Sequence, residues 1–168
     1  RLLEHGFDLS RVILQGHVAD LHGHLAAYAQ VDVALDTFPY HGTTTTLDAL
    51  LMGVPVVTLA GYNHASRVGA SLLGQVGIPE LIARTGDEYV AKAIELAGDP
   101  GRVAALHGAL RGKLLASTLC DGPGFARKFE FALRGMWLNW CRSRGVALSP
   151  AESAQAAFEF PTPGAQAR

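Results

Sequence analysis

The sequence is short of charge. Of its 168 residues, 17% are Asp, Glu, Lys or Arg, and the formal net charge is -1. A protein that binds nucleic acid by neutralising phosphates needs a surplus of basic residues, and so does a polybasic segment that binds a membrane surface. The composition therefore argues against both, and we expect neither nucleic acid nor a membrane among the partners of this chain.

Cysteine is equally scarce. Cys120 and Cys141 are the only two, and they form no Cys-x-x-Cys motif. We therefore predict packed, reduced thiols in a cytoplasmic protein. The spacing of His22, His24 and His41 matches no standard zinc pattern, so no metal is expected. The Gly-x-Gly-x-x-Gly fingerprint is also missing, which disfavours a dinucleotide-binding protein.

Long hydrophobic runs are absent too. The longest apolar run, residues 49–60, is interrupted by Gly53 and Pro55 and is shorter than the about 20 residues that span a bilayer. No signal peptide is recognisable. The first residues, 1–6, have the pattern of a helix end capped by Gly6, without an initiator Met. This start predicts that the chain is the C-terminal part of a longer protein.

Short apolar segments alternate with helical ones through the first half of the chain, and 49% of all residues are hydrophobic. This pattern predicts an α/β fold with a partial doubly wound parallel sheet, followed by helices. The predicted strands are 11–15, 31–35, 54–59 and a shorter candidate, 78–83. The predicted helices are 21–30, with Asp20 as its cap, 44–52 and 65–75. Ligands of such sheets bind at the carboxyl ends of the strands.

Beyond residue 83 the pattern is helical. The predicted helices are 88–97, with Asp87 as its cap, 102–117 and a long one at 125–143. An apolar stripe on the last helix predicts that this face is packed; it consists of Phe125, Phe129, Leu133, Trp137 and Trp140. We expect three parts: a parallel-sheet domain at 1–118, a long helix at 119–147 whose apolar face covers either this domain or a missing one, and a tail at 148–168. The tail is rich in Ala, Pro, Ser and Gln, so we predict that it is mostly disordered.

The most informative stretch joins the predicted strand 31–35 to the helix that begins at 44. It contains Pro39 and Gly42, followed by four threonines at 43–46. The first N–H groups of a helix lack internal partners, and the helix dipole favours an anion there. One threonine as a simple N-cap would explain part of the pattern. Four hydroxyls exceed what a cap needs, so the stretch predicts a phosphate site.

Two further residue types bear on that site. Asp48 lies about one turn into the helix, where it is either a solvated carboxylate or an acceptor for the ribose hydroxyls of a nucleotide. His17 and His24 follow the first predicted strand, so they are placed to reach the same crevice. Each of these histidines is also compatible with a purely structural role.

Several motifs in order resemble the protein O-GlcNAc transferases. They are DVALDT at 32–37, GTTT at 42–45, Asp48, GVPVVT at 53–58 and ASRV at 65–68, and the resemblance covers roughly residues 12–142. Members of that family are glycosyltransferases of the GT-B fold that use UDP-GlcNAc and carry tetratricopeptide repeats upstream. The resemblance implies that this chain forms the C-terminal Rossmann-like half of a GT-B fold.

The resemblance also implies a set of residues that bind the UDP donor. These are Ala19, His24, Gly42, Thr43, Thr44, Thr45 and Asp48. In the family, the threonine positions hold the diphosphate, the acid binds the ribose, the histidine lines the uridine site, and backbone groups at the alanine contact uracil. Two positions depart from the vertebrate members, which have His in place of Thr43 and Lys in place of Leu21. Both departures bear on the affinity for the donor and on its identity. The related plant-type members use GDP-fucose instead.

The resemblance implies an inverting transfer of GlcNAc from UDP-GlcNAc to Ser or Thr hydroxyls of proteins, without a metal or another cofactor. It places the candidate catalytic residues upstream, so no catalytic residue is assigned here and the segment alone is expected to be inactive. The expected partners are the donor, a protein acceptor and the upstream domains. Three alternatives stay open: a transferase that uses GDP-fucose or another nucleotide sugar, a nucleotide-sugar epimerase, and a non-catalytic interaction module.

Overall fold

A computed structural model of the chain describes residues 3–16 and 18–156. His17, one of the two histidines expected near the crevice, lies outside the described residues. The chain divides into two compact units between Leu115 and Ala116, whereas the sequence prediction places the first boundary after residue 118. The two units are described in turn.

The first unit is built on a parallel sheet of three strands in the order β1-β2-β3. The strands are β1 (Ala34–Leu35), β2 (Val56–Leu59) and β3 (Ile82–Ala83). Ala34 lies opposite Val56, and Thr58 lies opposite Ile82. The predicted α/β class with a parallel sheet is therefore confirmed, although each strand is shorter than its apolar run.

Five helices accompany the sheet in this unit. They are α1 (Leu21–Ala27), α2 (Thr44–Leu51), α3 (Val68–Val76), α4 (Gly86–Ala97) and α5 (Pro100–Ala116). Helix α2 connects β1 to β2, and α3 connects β2 to β3. Short 3-10 turns lie at Leu3–His5, Leu9–Arg11, Tyr28–Gln30 and Pro79–Leu81.

The predicted first strand, 11–15, is wrong. Arg11 ends a 3-10 turn, and the side chains of Ile13 and Leu14 are 86% and 87% exposed. A strand requires a hydrogen-bonded neighbour, and in the described part of the chain this segment pairs with none. Its β-branched composition reflects only a preference for a pleated, half-buried surface, and no such surface covers it here.

One of the two predicted helix caps is confirmed. Asp20 Oδ1 accepts a hydrogen bond from the Gly23 N–H at 2.7 Å, as expected for an N-cap. The predicted Asp87 cap is wrong, because Thr85 Oγ1 accepts from the Glu88 N–H at 3.2 Å and α4 begins directly after Thr85. Both residue types cap helices well, so the local sequence does not separate them.

A single apolar core joins the helices to the sheet. Leu50 of α2, Val57 of β2, Leu73 of α3, Leu96 of α4 and Leu110 of α5 are each completely buried. Each such side chain contributes about 1.5–3 kcal/mol relative to an exposed one. Because these residues come from every layer, the core holds the carboxyl end of β1 and the start of α2 in a fixed relation.

The second unit contains α6 (Gly122–Ser143) and α7 (Pro150–Ala156). Arg134 pairs with Glu152 at 3.2 Å across these helices, and Arg142 donates to the Ser153 carbonyl oxygen at 2.9 Å. Although α6 is the longest helix, neither it nor any other helix of the described residues is long and apolar enough to cross a membrane.

Helix α7 lies within the tail, 148–168, that the sequence predicts to be mostly disordered. Glu152 accepts from the Ser149 N–H at 3.0 Å, while the Ser149 hydroxyl accepts from the Glu152 N–H at 3.3 Å. This reciprocal pair is a capping box, and Pro150 suits the first helical position. The Ala- and Pro-rich composition concealed this helix start. Residues 157–168 lie outside the described residues.

The packing predicted for the α6 stripe is not found within the described residues. Its five side chains, from Phe125 to Trp140, are between 49% and 66% exposed, while Leu138 and Cys141 are buried instead. Arg134 lies over the Trp137 ring at 5.9 Å from its centroid. The apolar pattern marks which face of the helix is hydrophobic, and burial additionally requires a surface that covers it.

Gly53, which follows α2, provides a test of the packing of the first unit. Its φ is +86°, and an added Cβ would lie 2.7 Å from the carbonyl oxygen of His107 in α5. We expect Gly53→Ala to lower the free energy of unfolding by about 1–3 kcal/mol, through backbone strain and this clash. Urea unfolding of the intact protein measures the change.

The matched control is Gly112→Ala in α5, where an added Cβ meets nothing within 4 Å. We expect this substitution to raise the unfolding free energy by about 0.5–1 kcal/mol, because alanine favours the helix. Equal effects of the two substitutions would contradict the close approach of α5 to the turn at Gly53.

Candidate functional site

The loop between β1 and α2 lies at the carboxyl end of β1, as the sequence predicts. Thr43 is the N-cap residue of α2, with φ -113° and ψ -72°, and its side chain makes no capping hydrogen bond. The interpretation of Thr43 as a simple side-chain cap is therefore not supported. Ligands bind at this edge of parallel sheets, so the helix start faces the expected side of the fold.

The four threonines divide into two kinds. Thr43, Thr44 and Thr45 are exposed, and their hydroxyls make no hydrogen bond within residues 3–16 and 18–156. Thr46 is buried, and its Oγ1 donates to the Gly42 carbonyl oxygen at 3.1 Å. Three hydroxyls thus remain available for a ligand beside the first N–H groups of α2, and the fourth stabilises the loop.

His24 and Asp48 meet across α1 and α2. The His24 Nε2 atom lies 3.2 Å from Asp48 Oδ2, and the two side chains are 39% and 19% exposed. A carboxylate only accepts hydrogen bonds, so Nε2 carries the proton in this contact. Asp48 Oδ1 has no partner in the described part of the chain. This oxygen can therefore accept a hydrogen bond from a ligand.

Tyr28 is a site residue that the sequence analysis missed. Its hydroxyl donates to the Thr45 carbonyl oxygen at 3.1 Å, and its ring meets the His24 ring edge-on with centroids 5.6 Å apart. Burial raises the pKa of Tyr28 above its ordinary value, and the nearby Asp48 raises this pKa further. In the sequence Tyr28 is only an apolar helix position, so no local signal reveals this role.

Two cavities border these residues. The larger, of about 590 Å³, is lined by residues of α1 and the preceding loop, including Ala19, His24 and Tyr28. The smaller, of about 150 Å³, is lined by Tyr28, Gly42 and Thr45, among others. Tyr28 belongs to both. The structure thus brings the predicted residues of α1 close to those at the start of α2.

The two cavities are poor in positive charge. Leu21, at one departure from the vertebrate pattern, is 71% exposed and lines the larger cavity. Among the described residues, the lining of both cavities includes Asp20 and Asp36 but neither lysine nor arginine. An anion bound here would therefore be held by backbone N–H groups and hydroxyls rather than by a fixed cation from this chain.

Three buried polar side chains underlie the loop: Asp36, His41 and Thr58. None of them is predicted at the site from the sequence. Asp36 directly follows β1 and Thr58 lies within β2, so a polar residue in or beside an apolar run was the available signal. The described residues contain no group of three or more His, Cys, Asp or Glu placed to hold a metal ion, and the expectation of a metal-free site stays a prediction.

Comparison with known proteins gives a consistent result. The sequence model of glycosyl transferase family 41 matches residues 2–129. A barley (Hordeum vulgare) protein named as a probable UDP-N-acetylglucosamine–peptide N-acetylglucosaminyltransferase SPINDLY is 46% identical over 147 residues, which are 88% of this chain and 16% of that protein. The Caenorhabditis elegans UDP-N-acetylglucosamine–peptide N-acetylglucosaminyltransferase is 36% identical over 138 residues, 82% of this chain and 12% of the relative.

Among solved structures, a mutant of the Thermobaculum terrenum O-GlcNAc transferase superposes with a TM-score of 0.79 at 41% identity. The match covers 85% of this chain and 27% of that one. It confirms the predicted fold, the C-terminal Rossmann-like half of a GT-B enzyme. The chain spans only 16% of the barley relative, yet both matches cover more than four fifths of its own length. The chain therefore belongs to glycosyl transferase family 41.

Proposed function

We propose that this chain binds the nucleotide-sugar donor of a protein O-GlcNAc transferase, an inverting enzyme that moves GlcNAc from UDP-GlcNAc to Ser or Thr hydroxyls. The observation that carries the proposal is the start of α2. There, three threonine hydroxyls that have no partner among the described residues stand beside the first N–H groups of the helix, and the carboxylate of Asp48 follows about one turn later.

The arrangement accommodates the parts of a nucleotide in order. The larger cavity, beside Ala19 and His24, receives the uracil and ribose. Asp48 Oδ1 accepts a hydrogen bond from a ribose hydroxyl while His24 holds Oδ2. The diphosphate then reaches the start of α2, where N–H groups and the dipole favour an anion. Tyr28 stands between the two parts, bonded to the carbonyl oxygen of Thr45.

The same groups fit the demands of the reaction. When the bond to the sugar breaks, negative charge builds on the departing diphosphate. Hydrogen-bond donors fixed in advance at that position stabilise this charge. The acceptor hydroxyl must also lie close to the sugar and lose its proton. No residue of this chain is assigned that proton, so its contribution is to hold the donor and stabilise the leaving group.

A second candidate is a transferase of the same family whose donor carries another nucleotide, such as GDP-fucose. The specific observation in its favour is the pair Thr43 and Leu21, which replaces the His and Lys of vertebrate members. Both changes remove a basic group from the donor side. The exposed Leu21 in the larger cavity also alters the wall against which the nucleotide would lie.

Asp48→Asn tests the ribose assignment. Losing the charged acceptor should weaken UDP binding by about tenfold, because hydrogen bonds to a charged group contribute about 1.5–3 kcal/mol. Isothermal titration of the intact protein with UDP measures the dissociation constant. The control is Asp87→Asn, which changes an exposed carboxylate in the first turn of α4. Unchanged UDP affinity in Asp48→Asn would rule out the ribose assignment.

Competition between UDP and GDP distinguishes the two candidate donors. We expect UDP to displace a fluorescent UDP analogue from the intact protein at a lower concentration than GDP, since the cavity beside Ala19 is assigned to uracil. Preference for GDP would support the second candidate. If neither UDP nor GDP binds, the result would favour a non-catalytic interaction module.

Tyr28 reports on the charge of Asp48 without any ligand. Burial is the larger cause of its raised pKa and Asp48 the smaller. In Asp48→Asn we therefore expect the Tyr28 pKa to fall, yet to stay above the ordinary value of about 10. NMR titration of the tyrosine ring signals, assigned with Tyr28→Phe, measures this change. An unaltered pKa would show that the Asp48 carboxylate does not face the Tyr28 hydroxyl.

A further inference from the structure

A buried polar cluster, formed by Asp36, His41 and Thr58, lies under the loop that leads into α2. The three residues are only 8%, 2% and 0% exposed. Burying polar groups is unfavourable unless they are hydrogen-bonded, and every buried side-chain polar atom in the described chain has a partner. The cluster therefore has a defined hydrogen-bond arrangement. This arrangement identifies the partners of each side chain and the tautomer of His41.

Asp36 connects the two ends of the loop. Its Oδ1 accepts from the Gly42 N–H at 2.9 Å, and its Oδ2 accepts from the Thr58 hydroxyl at 2.7 Å. Its backbone is fixed as well, because its N–H donates to the Val57 carbonyl oxygen at 2.9 Å and its carbonyl oxygen accepts from the Tyr89 hydroxyl at 2.8 Å. The Asp36 carboxylate thus fixes the position of Gly42, which directly precedes the threonines, relative to the sheet.

The contacts of His41 determine its tautomer. The backbone N–H of Gly69 points at Nδ1 from 3.0 Å, and a backbone amide can only donate, so Nδ1 carries no proton. Nε2 lies 3.0 Å from the Leu59 carbonyl oxygen, which can only accept, so Nε2 carries the proton. His41 is therefore a neutral imidazole. Nδ1 also lies 3.3 Å from Asp36 Oδ2, a contact in which no proton is shared.

Gly69 shows how closely α3 approaches the cluster. A Cβ at this position would overlap with Asp36 Oδ2 and Thr58 Oγ1, and it would lie 3.0 Å from His41 Nδ1. No side chain fits there without displacing the cluster. The backbone of His41 is also bound to the loop after β2, because its N–H donates to the Ala65 carbonyl oxygen at 3.0 Å. The cluster is thus enclosed by β1, β2 and the first turn of α3.

We propose that Asp36, His41 and Thr58 are positioning residues that hold the loop before α2 in the conformation that binds the donor diphosphate. This inference rests on the proposed function. The role assigned to these three residues requires no contact with the donor. They act through Gly42, whose N–H is held by Asp36 and whose carbonyl oxygen is held by Thr46. His41 serves as a hydrogen-bonded spacer and not as the catalytic base, since both of its nitrogens are engaged below the loop.

The expected effect of the cluster is on affinity. A glycine-containing loop without fixed hydrogen bonds samples many backbone conformations, and binding must then offset the entropy of ordering it. Fixing the loop before the donor arrives removes that cost. Disruption of the cluster should therefore weaken donor binding in a protein that remains folded, with a larger effect on KM for the donor than on kcat.

Three substitutions test the proposal in the intact protein. Asp36→Ala leaves the Gly42 N–H without its acceptor, and we expect UDP to bind about tenfold more weakly. Asp36→Asn keeps an oxygen for Gly42, while the Thr58 hydroxyl can turn to accept from the new amide, so affinity should stay within about threefold of wild type. Asp32→Ala, which removes an exposed carboxylate on the same segment, is the control and should bind as wild type.

Thermal unfolding of each variant establishes that binding is measured on folded protein. If Asp36→Ala does not fold, Thr58→Val removes the hydroxyl that donates to Asp36 Oδ2 at nearly constant volume, and the same loss of UDP affinity is expected. Independently, nitrogen-15 NMR of the imidazole should show that His41 is protonated at Nε2 alone. An imidazolium, or a proton on Nδ1, would contradict the arrangement.

The outcomes distinguish a failure of the proposed donor binding from a failure of the positioning role alone. Absence of UDP binding by the wild type overturns the proposed function and this inference with it. Binding by the wild type with equal affinity in Asp36→Ala and Thr58→Val overturns the positioning role alone. An Asp36→Asn variant as weak as Asp36→Ala would also overturn it, because the effect would then follow the charge of Asp36 rather than its hydrogen bonds.

Discussion

The hydrogen bond from the Gly42 N–H to the Asp36 carboxylate, 2.9 Å long, links the sheet to the start of α2. On one side of it, Asp36 is tied through its backbone to Val57 of β2 and to Tyr89 of α4. On the Gly42 side, the three exposed threonines, 43–45, follow directly in the sequence. The apolar core explains why β1 and α2 are adjacent, but apolar packing has no direction. This polar contact, together with the hydrogen bonds of His41 and Thr46, fixes the direction of the chain between them.

Burial determines which of the neighbouring polar side chains form internal hydrogen bonds and which are available to a ligand. The hydroxyls of the buried Thr46 and Thr58 form hydrogen bonds inside the protein. Thr43, Thr44 and Thr45 are exposed, and their hydroxyls have no partner in the described part of the chain. Asp36 and Asp48 differ in the same way. Asp36 is occupied on both oxygens, and Asp48 keeps one oxygen available beside His24. Residues of one chemical type thus stabilise the site or face it, depending on which side of the loop they occupy.

Much of this arrangement could be predicted from the sequence, because it depends on local patterns. Alternating apolar segments indicate the parallel sheet, and the Gly-Thr run predicts that the candidate site lies at the carboxyl end of β1. The parts that could not be predicted depend on partners remote in sequence. Among the residues that the structure describes, segment 11–15 has strand composition but no paired neighbour, and the apolar stripe of α6 has no covering surface. Tyr28 and His41 acquire their roles from contacts 17 and 28 residues away.

Among the described residues, neither lysine nor arginine lines the two cavities, which bears on how this part of the proposed site would act on an anion. Dipoles act over a few ångströms, while a formal charge acts over about 8–10 Å in physiological salt. Under the proposed function, the N–H groups and hydroxyls of this chain therefore act on a diphosphate only at contact distance. The cavity beside α1 would then contribute to binding by its shape, through the nucleoside part of the donor, more than by charge.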